Sequence, residues 1–203
     1  LGAFRALVMF IALMAFFTTA RLDDARGELS QTSQMLADSL APYTITSTVN
    51  VNKGVTIRGE SEAGTIIEVD TGTGFGFNLN ANNITIENLT FESISAGAST
   101  GFILKGNPDG STDPSTPYTN LTIQGVTVFG DATSGGRTAG IDINGFDNVV
   151  LDDVVSNDAS AGNGIQLSGC HGVDISNVST SNNAWGSIGI FASKPVDAAR
   201  GSD

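Results

Sequence analysis

The chain contains one cysteine, one histidine, one tryptophan and nine lysines and arginines in 203 residues. A single cysteine, Cys170, excludes an intramolecular disulfide framework and leaves no CxxC pair for a structural metal. Nine cations against 21 acids give a net charge of −12. That field repels nucleic acid and any polyanion that a cation does not bridge. Charged residues of either sign make up only 15% of the chain, whereas glycine is abundant at 25 residues and Asn, Thr and Ser are frequent. This composition suits a turn-rich β protein better than a helical one.

Long apolar runs are also scarce, with one exception. "LGAFRALVMFIALMAFFTTA", residues 1–20, carries Arg5 as its sole charge, and the residues from Ala6 to Phe17 have neither charge nor amide. "RLDDARGELSQTSQMLADSLAP" comes next, broadly helical in composition, with a loose apolar stripe of Leu22, Leu29, Met35 and Leu36 and a natural stop at Pro42. Residues 1–41 are therefore expected to be a hydrophobic and then amphipathic α-helix, its later part covering the open end of the domain that begins at residue 42. Two fates fit: a retained anchor or packing helix, or a secretory signal cleaved after Ala20. The opening resembles type IV pilin-like subunits, in which such a helix packs in a filament core beneath a head domain. Where bacterial pilins have Glu at the fifth position, Arg5 stands here.

From residue 42 to 203 the sequence repeats itself. "GFNLN" from Gly76, "GFILKG" from Gly101, "GIDING" from Gly140, "GIQLSG" from Gly164 and "GIFAS" from Gly189 each alternate apolar and other residues, which is strand periodicity. Aligned on their glycines, they form one apolar column of Phe77, Phe102, Ile141, Ile165 and Ile190. A second column holds Leu79, Leu104, Ile143, Leu167 and Ala192. A second strand follows in each period: "VTI" at 55, "ITI" at 84, "LTI" at 121, "VVL" at 149 and "VDI" at 173. The residues bracketing it are Gly54, Asn83, Asn120, Asn148, Gly172 on one side and Gly59, Asn88, Gly125, Asp153, Asn177 on the other. All are types that tolerate a left-handed backbone at a sharp corner. A third short strand comes next.

Three short strands and tight corners per period describe one coil of a parallel β-helix, and about six coils fit the chain. "VNVNKGVTIRGESEAGTIIEVD" and the asparagine corners at 83–88 and 120–125 resemble the right-handed, pectate-lyase-like β-helix superfamily, over residues 43–196. The expected fold is all-β, a right-handed parallel β-helix over 42–203 behind a hydrophobic N-terminal α-helix. "KGNPDGSTDPSTPY", residues 105–118, holds three prolines and two glycines and reads as a surface excursion.

The resemblance implies two enzymatic options. Lyases of this fold use an Arg or Lys base with acid-held Ca²⁺, and hydrolases use clustered carboxylates. The outward positions of the first strand set are Asn78, Ile103, Asp142, Gln166 and Phe191, flanked by Asn80, Lys105, Asn144, Ser168 and Ser193. Asp142 is the sole acid there. On the second set Arg58, Glu87, Gln124, Asp152 and Ser176 form the outer row, and Glu87 with Asp152 stands about 10 Å apart, two coils of about 4.8 Å. That is the outer limit for an inverting pair, and Arg58 is expected to pair with Glu87 instead. No catalytic residue is therefore assigned. Asn80, Lys105, Asp142 and Asn144 are the candidate glycan contacts.

Other features have plainer readings. Cys170 and His171 fall on Phe146 and Asp147 of the preceding coil, so the pair reads as a turn and not a nucleophile site. Thr56, Thr85 and Thr122 stack outward, as do Thr90 and Thr127, in the manner of ice-binding faces, yet Val150 and Asp174 end the first array. Asn83, Asn88, Asn120 and Asn177 sit in glycosylation sequons that the corner column already explains. No metal site or cofactor is assigned, although Asp152–Asp153 or Asp109 with Asp113 offers Ca²⁺ a weak foothold. The expected function is that of a non-enzymatic extracellular or cell-surface structural subunit, self-associating or membrane-anchored through its N-terminal helix. The alternative is a secreted protein that binds or degrades polysaccharide.

Overall fold

A computed structural model describes residues 34–37, 42–72, 74–94, 102–106, 116–130 and 139–191, and every regular element among them is a strand. In chain order these are β1 (Gln34–Ala37), β2 (Tyr43–Ile45), β3 (Val49–Val51), β4 (Thr56–Gly59), β5 (Ile66–Val69), β6 (Phe77–Leu79), β7 (Ile84–Ser93) and β8 (Phe102–Gly106). They continue with β9 (Tyr118–Phe129), β10 (Ala139–Asn144), β11 (Phe146–Asn157), β12 (Asn163–Ser168), β13 (His171–Ser176), β14 (Ser179–Ser181) and β15 (Gly186–Phe191). All pairings are parallel, and the strands stack as a β-solenoid of about four turns. One sheet runs β3-β6-β8-β10-β12-β15, its four inner strands each having a neighbour on both sides. The other runs β1-β4-β7-β9-β11-β13 and turns a corner within β7, β9 and β11; the far half of β7 pairs with β5, which in turn pairs with β2, and the far half of β11 pairs with β14.

Alternation fixes which residues enter the bore, and stacking turns them into columns. Val49, Phe77, Leu104, Ile141, Ile165 and Ile188 form one inner column, and Val51, Leu79, Gly106, Ile143, Leu167 and Ile190 the next. Ile57, Ile86, Ile123, Leu151 and Ile175 face them from the other sheet. The Phe77 and Phe91 rings meet edge to face at 5.1 Å across the interior. Each fully buried aliphatic is worth about 1.5–3 kcal/mol relative to exposure. The one glycine in these columns has a steric cause. A Cβ on Gly106 would come within 3.0 Å of the Phe146 ring, which fills the corner beside it.

The bends are columns too. Asn83, Asn120, Asn148 and Gly172 at the first, and Asn88, Gly125, Asp153 and Asn177 at the second, all adopt φ between 53° and 61°. Asparagine tolerates that region and, unlike glycine, can also bond its copy in the next turn. Asn120 Nδ2 donates to Asn83 Oδ1 at 2.8 Å, and Asn148 Nδ2 donates to Asn120 Oδ1 at 3.1 Å. Gly54 and Gly59, expected in the same role, are small for another reason. A Cβ there would lie 2.8 Å from the Asn82 carbonyl oxygen and 2.0 Å from that of Asn88.

Three expectations need correction. Register places Leu104, not Phe102, beside Phe77 and Ile141, and Ile188, not Ile190, beside Ile165. Both are slips of two residues, which leave every side chain on its expected face and so escape detection by alternation. Ile190 does belong to an inner column, but it tops the last described rung and is 57% exposed. Residues 34–37 are a strand in register with Thr56–Gly59, not part of a helix; pairing there satisfies the backbone edge of β4. The rest of the expected N-terminal helix lies outside the described residues. β8 ends at Gly106 and the chain is strand again at Tyr118; residues 107–115 of the expected surface excursion lie outside the described residues.

The corner column makes a graded prediction. Asn120→Ala loses two inter-turn hydrogen bonds and must hold a left-handed backbone without help, costing about 2 kcal/mol. Asn120→Gly keeps the backbone and should cost measurably less. Urea unfolding of the three proteins checks the order.

Candidate functional site

Of the four sequence-nominated residues, the fold brings three together. Lys105 on β8 stands opposite Asp142 on β10, and Asn144 follows two residues along on the same face. The slip in β8 is what matters here: it moves Lys105 from beside Asn144 to beside Asp142. Asn80 is left out. It lies in the column of Asn144 but two turns away, about 10 Å at 4.8 Å per turn.

This face points away from the apolar columns, yet Lys105, Asp142 and Asn144 are only 6%, 5% and 5% exposed. The Lys105 ammonium is ion-paired with Asp142 Oδ2 and lies 4.9 Å from the centre of the Phe102 ring. With the Asn144 amide oriented to suit its neighbours, its oxygen accepts from Lys105 Nζ at 2.6 Å and its nitrogen donates to Asp142 Oδ1 at 3.2 Å. Gln166 on β12 also bonds Asp142, and Asn163 Nδ2 donates to Gln166 Oε1 at 3.1 Å, fixing that amide. Burial pushes the Asp142 carboxyl above its ordinary range, while the Lys105 charge pulls the other way.

The second outer row is held differently. Arg58, Glu87, Gln124, Asp152 and Ser176 stack as expected. Arg58 is paired with Glu87. Gln124 Nε2 donates to Asp152 Oδ2 at 3.0 Å, and Ser176 Oγ and Asn177 Nδ2 donate to Asp152 Oδ1 at 2.8 and 3.0 Å. Those bonds, that of Ser176 foremost, hold the Asp152 carboxyl below the ordinary carboxylate range. Glu87 and Asp152 are thus each tied to a side chain of a neighbouring turn.

The remaining features resolve as structure. Cys170 is fully buried, its thiol donating to the Ile143 carbonyl at 3.5 Å, while Asp147 stands opposite His171 and bonds its Nδ1 at 3.1 Å. Thr90 and Thr127 are covered by the 61–64 turn, where Thr90 Oγ1 donates to the Glu62 carbonyl at 2.9 Å and Thr127 Oγ1 donates to the Glu62 carboxylate. That removes the second threonine array from the open surface. Among the described residues no three His, Cys, Asp or Glu side chains gather as a metal site, and Asp109 and Asp113 lie outside them. A shallow groove of about 470 Å³ runs past Glu92, Ser93, Ile94, Phe129 and Asp158. No pattern in the residues pointed to it, since its walls come from three different turns.

No family model, curated protein or solved structure matches this chain.

The site generates two predictions. As an ion pair alone, Lys105 and Asp142 predict that Lys105→Met destabilises by about 3–5 kcal/mol and that adding Asp142→Leu recovers most of that loss. Denaturant titration of single and double variants reads it. The pH dependence of Asp152 has a definite sign. Its folded form releases the proton more easily than the unfolded chain does. Its contribution is therefore present above the ordinary carboxylate range and is lost as pH falls through it, roughly below pH 5. Asp142 has the opposite sign, weakening the fold as pH rises past its ordinary value. Asp152→Asn should flatten the acid limb of a stability-against-pH curve.

Proposed function

We propose that the chain is a non-enzymatic extracellular structural subunit, displayed at a surface or built into a filament, with the solenoid as its presented part. The observation that carries this is what the outward polar side chains do. Arg58 with Glu87, Gln124 with Asp152 and Ser176, Asp147 with His171, and Lys105 with Asp142 and Asn144 are bonded to each other across turns. Their chemistry is spent on holding rungs together. In this reading the domain is a right-handed helix of the pectate-lyase-like kind. The reading takes the repeat to run to about six coils, with residues 1–20 as anchor or filament-core helix.

A secreted polysaccharide-binding or polysaccharide-degrading protein is the competing reading, and Ca²⁺ would accompany a lyase. Fractionation of the native protein, with its N-terminus sequenced, separates the two. The structural reading expects residues 1–20 to be present and the protein to be in membranes or polymers. A detergent-free monomer that keeps residues 1–20, or turnover of a polyuronate with added Ca²⁺, overturns it.

A further inference from the structure

We propose that Lys105 and Asn144 join covalently, the lysine nitrogen displacing the side-chain amide nitrogen of Asn144 to form an isopeptide bond between β8 and β10, with Asp142 as the proton carrier. This goes beyond the structural role argued above and does not depend on it.

The geometry supplies each part. The nucleophile is Lys105 Nζ, held 2.6 Å from the Asn144 amide oxygen. The electrophilic Cγ lies one carbonyl bond, about 1.2 Å, behind that oxygen. The carboxylate of Asp142 touches both nitrogens that exchange protons: Oδ2 faces Lys105 Nζ, and Oδ1 accepts from the Asn144 amide nitrogen at 3.2 Å. A primary amide in water is a poor acyl donor, and a lysine in water is a protonated, inert ammonium. Both obstacles weaken when the groups are dry and held in contact. Here all three side chains are buried, with the Phe102 ring beside the ammonium and fully buried Ile103 on the same face. Burial raises the proton affinity of the Asp142 carboxylate, which makes it the better acceptor for a lysine proton.

The steps balance. Asp142 takes a proton from the Lys105 ammonium, and the freed amine attacks Cγ of Asn144. The C–N bond to the amide nitrogen breaks as that nitrogen gains a proton through Asp142 and leaves as ammonia. The products are one new amide, ammonia and a protonated Asp142, whose hydroxyl can donate to the new carbonyl. No oxidant, metal or cofactor is consumed.

A rival reaction also loses ammonia. Asn144 precedes Gly145, and attack by the Gly145 backbone nitrogen would close a succinimide. That nitrogen is occupied, donating to the Ser168 carbonyl at 2.8 Å.

The test is mass spectrometry of the full chain purified in its folded form. The expected result is that most molecules are lighter than their sequence by one ammonia. A digest should contain one branched fragment that joins the Lys105 and Asn144 peptides, with cleavage after Lys105 abolished. Lys105→Arg should restore the sequence mass. Because the branched fragment is sought in the unaltered protein, a variant that fails to fold does not blunt the test. Full sequence mass in the folded protein overturns the proposal. So does ammonia loss confined to Asn144–Gly145 with Lys105 free, and so does loss of water mapping to Lys105 and Asp142.

Discussion

The stacking of each parallel strand on its counterpart one turn away is the constraint from which the rest descends. In a ladder of this kind a residue's nearest neighbours are its own copies in adjacent turns, about 4.8 Å above and below. Backbone hydrogen bonds are then satisfied between turns, so no turn is stable alone. Side chains must suit self-stacking. Isoleucine and leucine do so in the bore, and asparagine does so at the bends, where Asn83, Asn120 and Asn148 pass hydrogen bonds along the column. Charges do so only when signs alternate or polar groups intervene, as Arg58 with Glu87 and Gln124 with Asp152 show.

Much of this was legible in the residue pattern because the pattern and the structure share a period. Among the described strands, alternation assigned the inner and outer faces of the columns correctly. The recurrence of Asn, Asp and Gly located eight left-handed bends. Cys170 and His171 were understood by comparison with Phe146 and Asp147, one turn earlier, and the register agrees. The limits have equally physical causes. A slip of two residues preserves alternation, so neither Phe102 against Leu104 nor Ile190 against Ile188 could be decided by hydropathy. Glycine at 54 and 59 answers to close backbone approach, which sequence cannot distinguish from a left-handed bend. The groove at Glu92, Phe129 and Asp158 gathers residues from separate turns and leaves no local signature.

The outer face of the β8–β10 sheet shows why burial must be known before function is read from residue type. Lysine, aspartate and asparagine on an outward face suggest contact with a polar ligand. Closed to within a few per cent of exposure, the same three residues bond one another and, through Asp142, Gln166 of the next turn. Their chemistry is turned inward, toward joining strands.

That cluster also settles what alternation leaves open. In the apolar columns a two-residue slip of β8 costs little, since Phe102 and Leu104 both fill the bore position tolerably. On the outer face the same slip would set Ile103 against Asp142, and a slip the other way would set Lys105 against Gly140. Either leaves a buried carboxylate without its cation, a penalty of about 3–5 kcal/mol. A buried ion pair adds little net stability over apolar residues of the same size, but it discriminates strongly between registers. Lys105 and Asp142 are 37 residues apart, whereas Ile141 and Ile165 are 24 apart, so β8 and β10 lie outside the even spacing that aligns β10 with β12, and such discrimination is needed there. At the one rung where the repeat length changes most, the chain carries its one buried pair of opposite charges among the described residues.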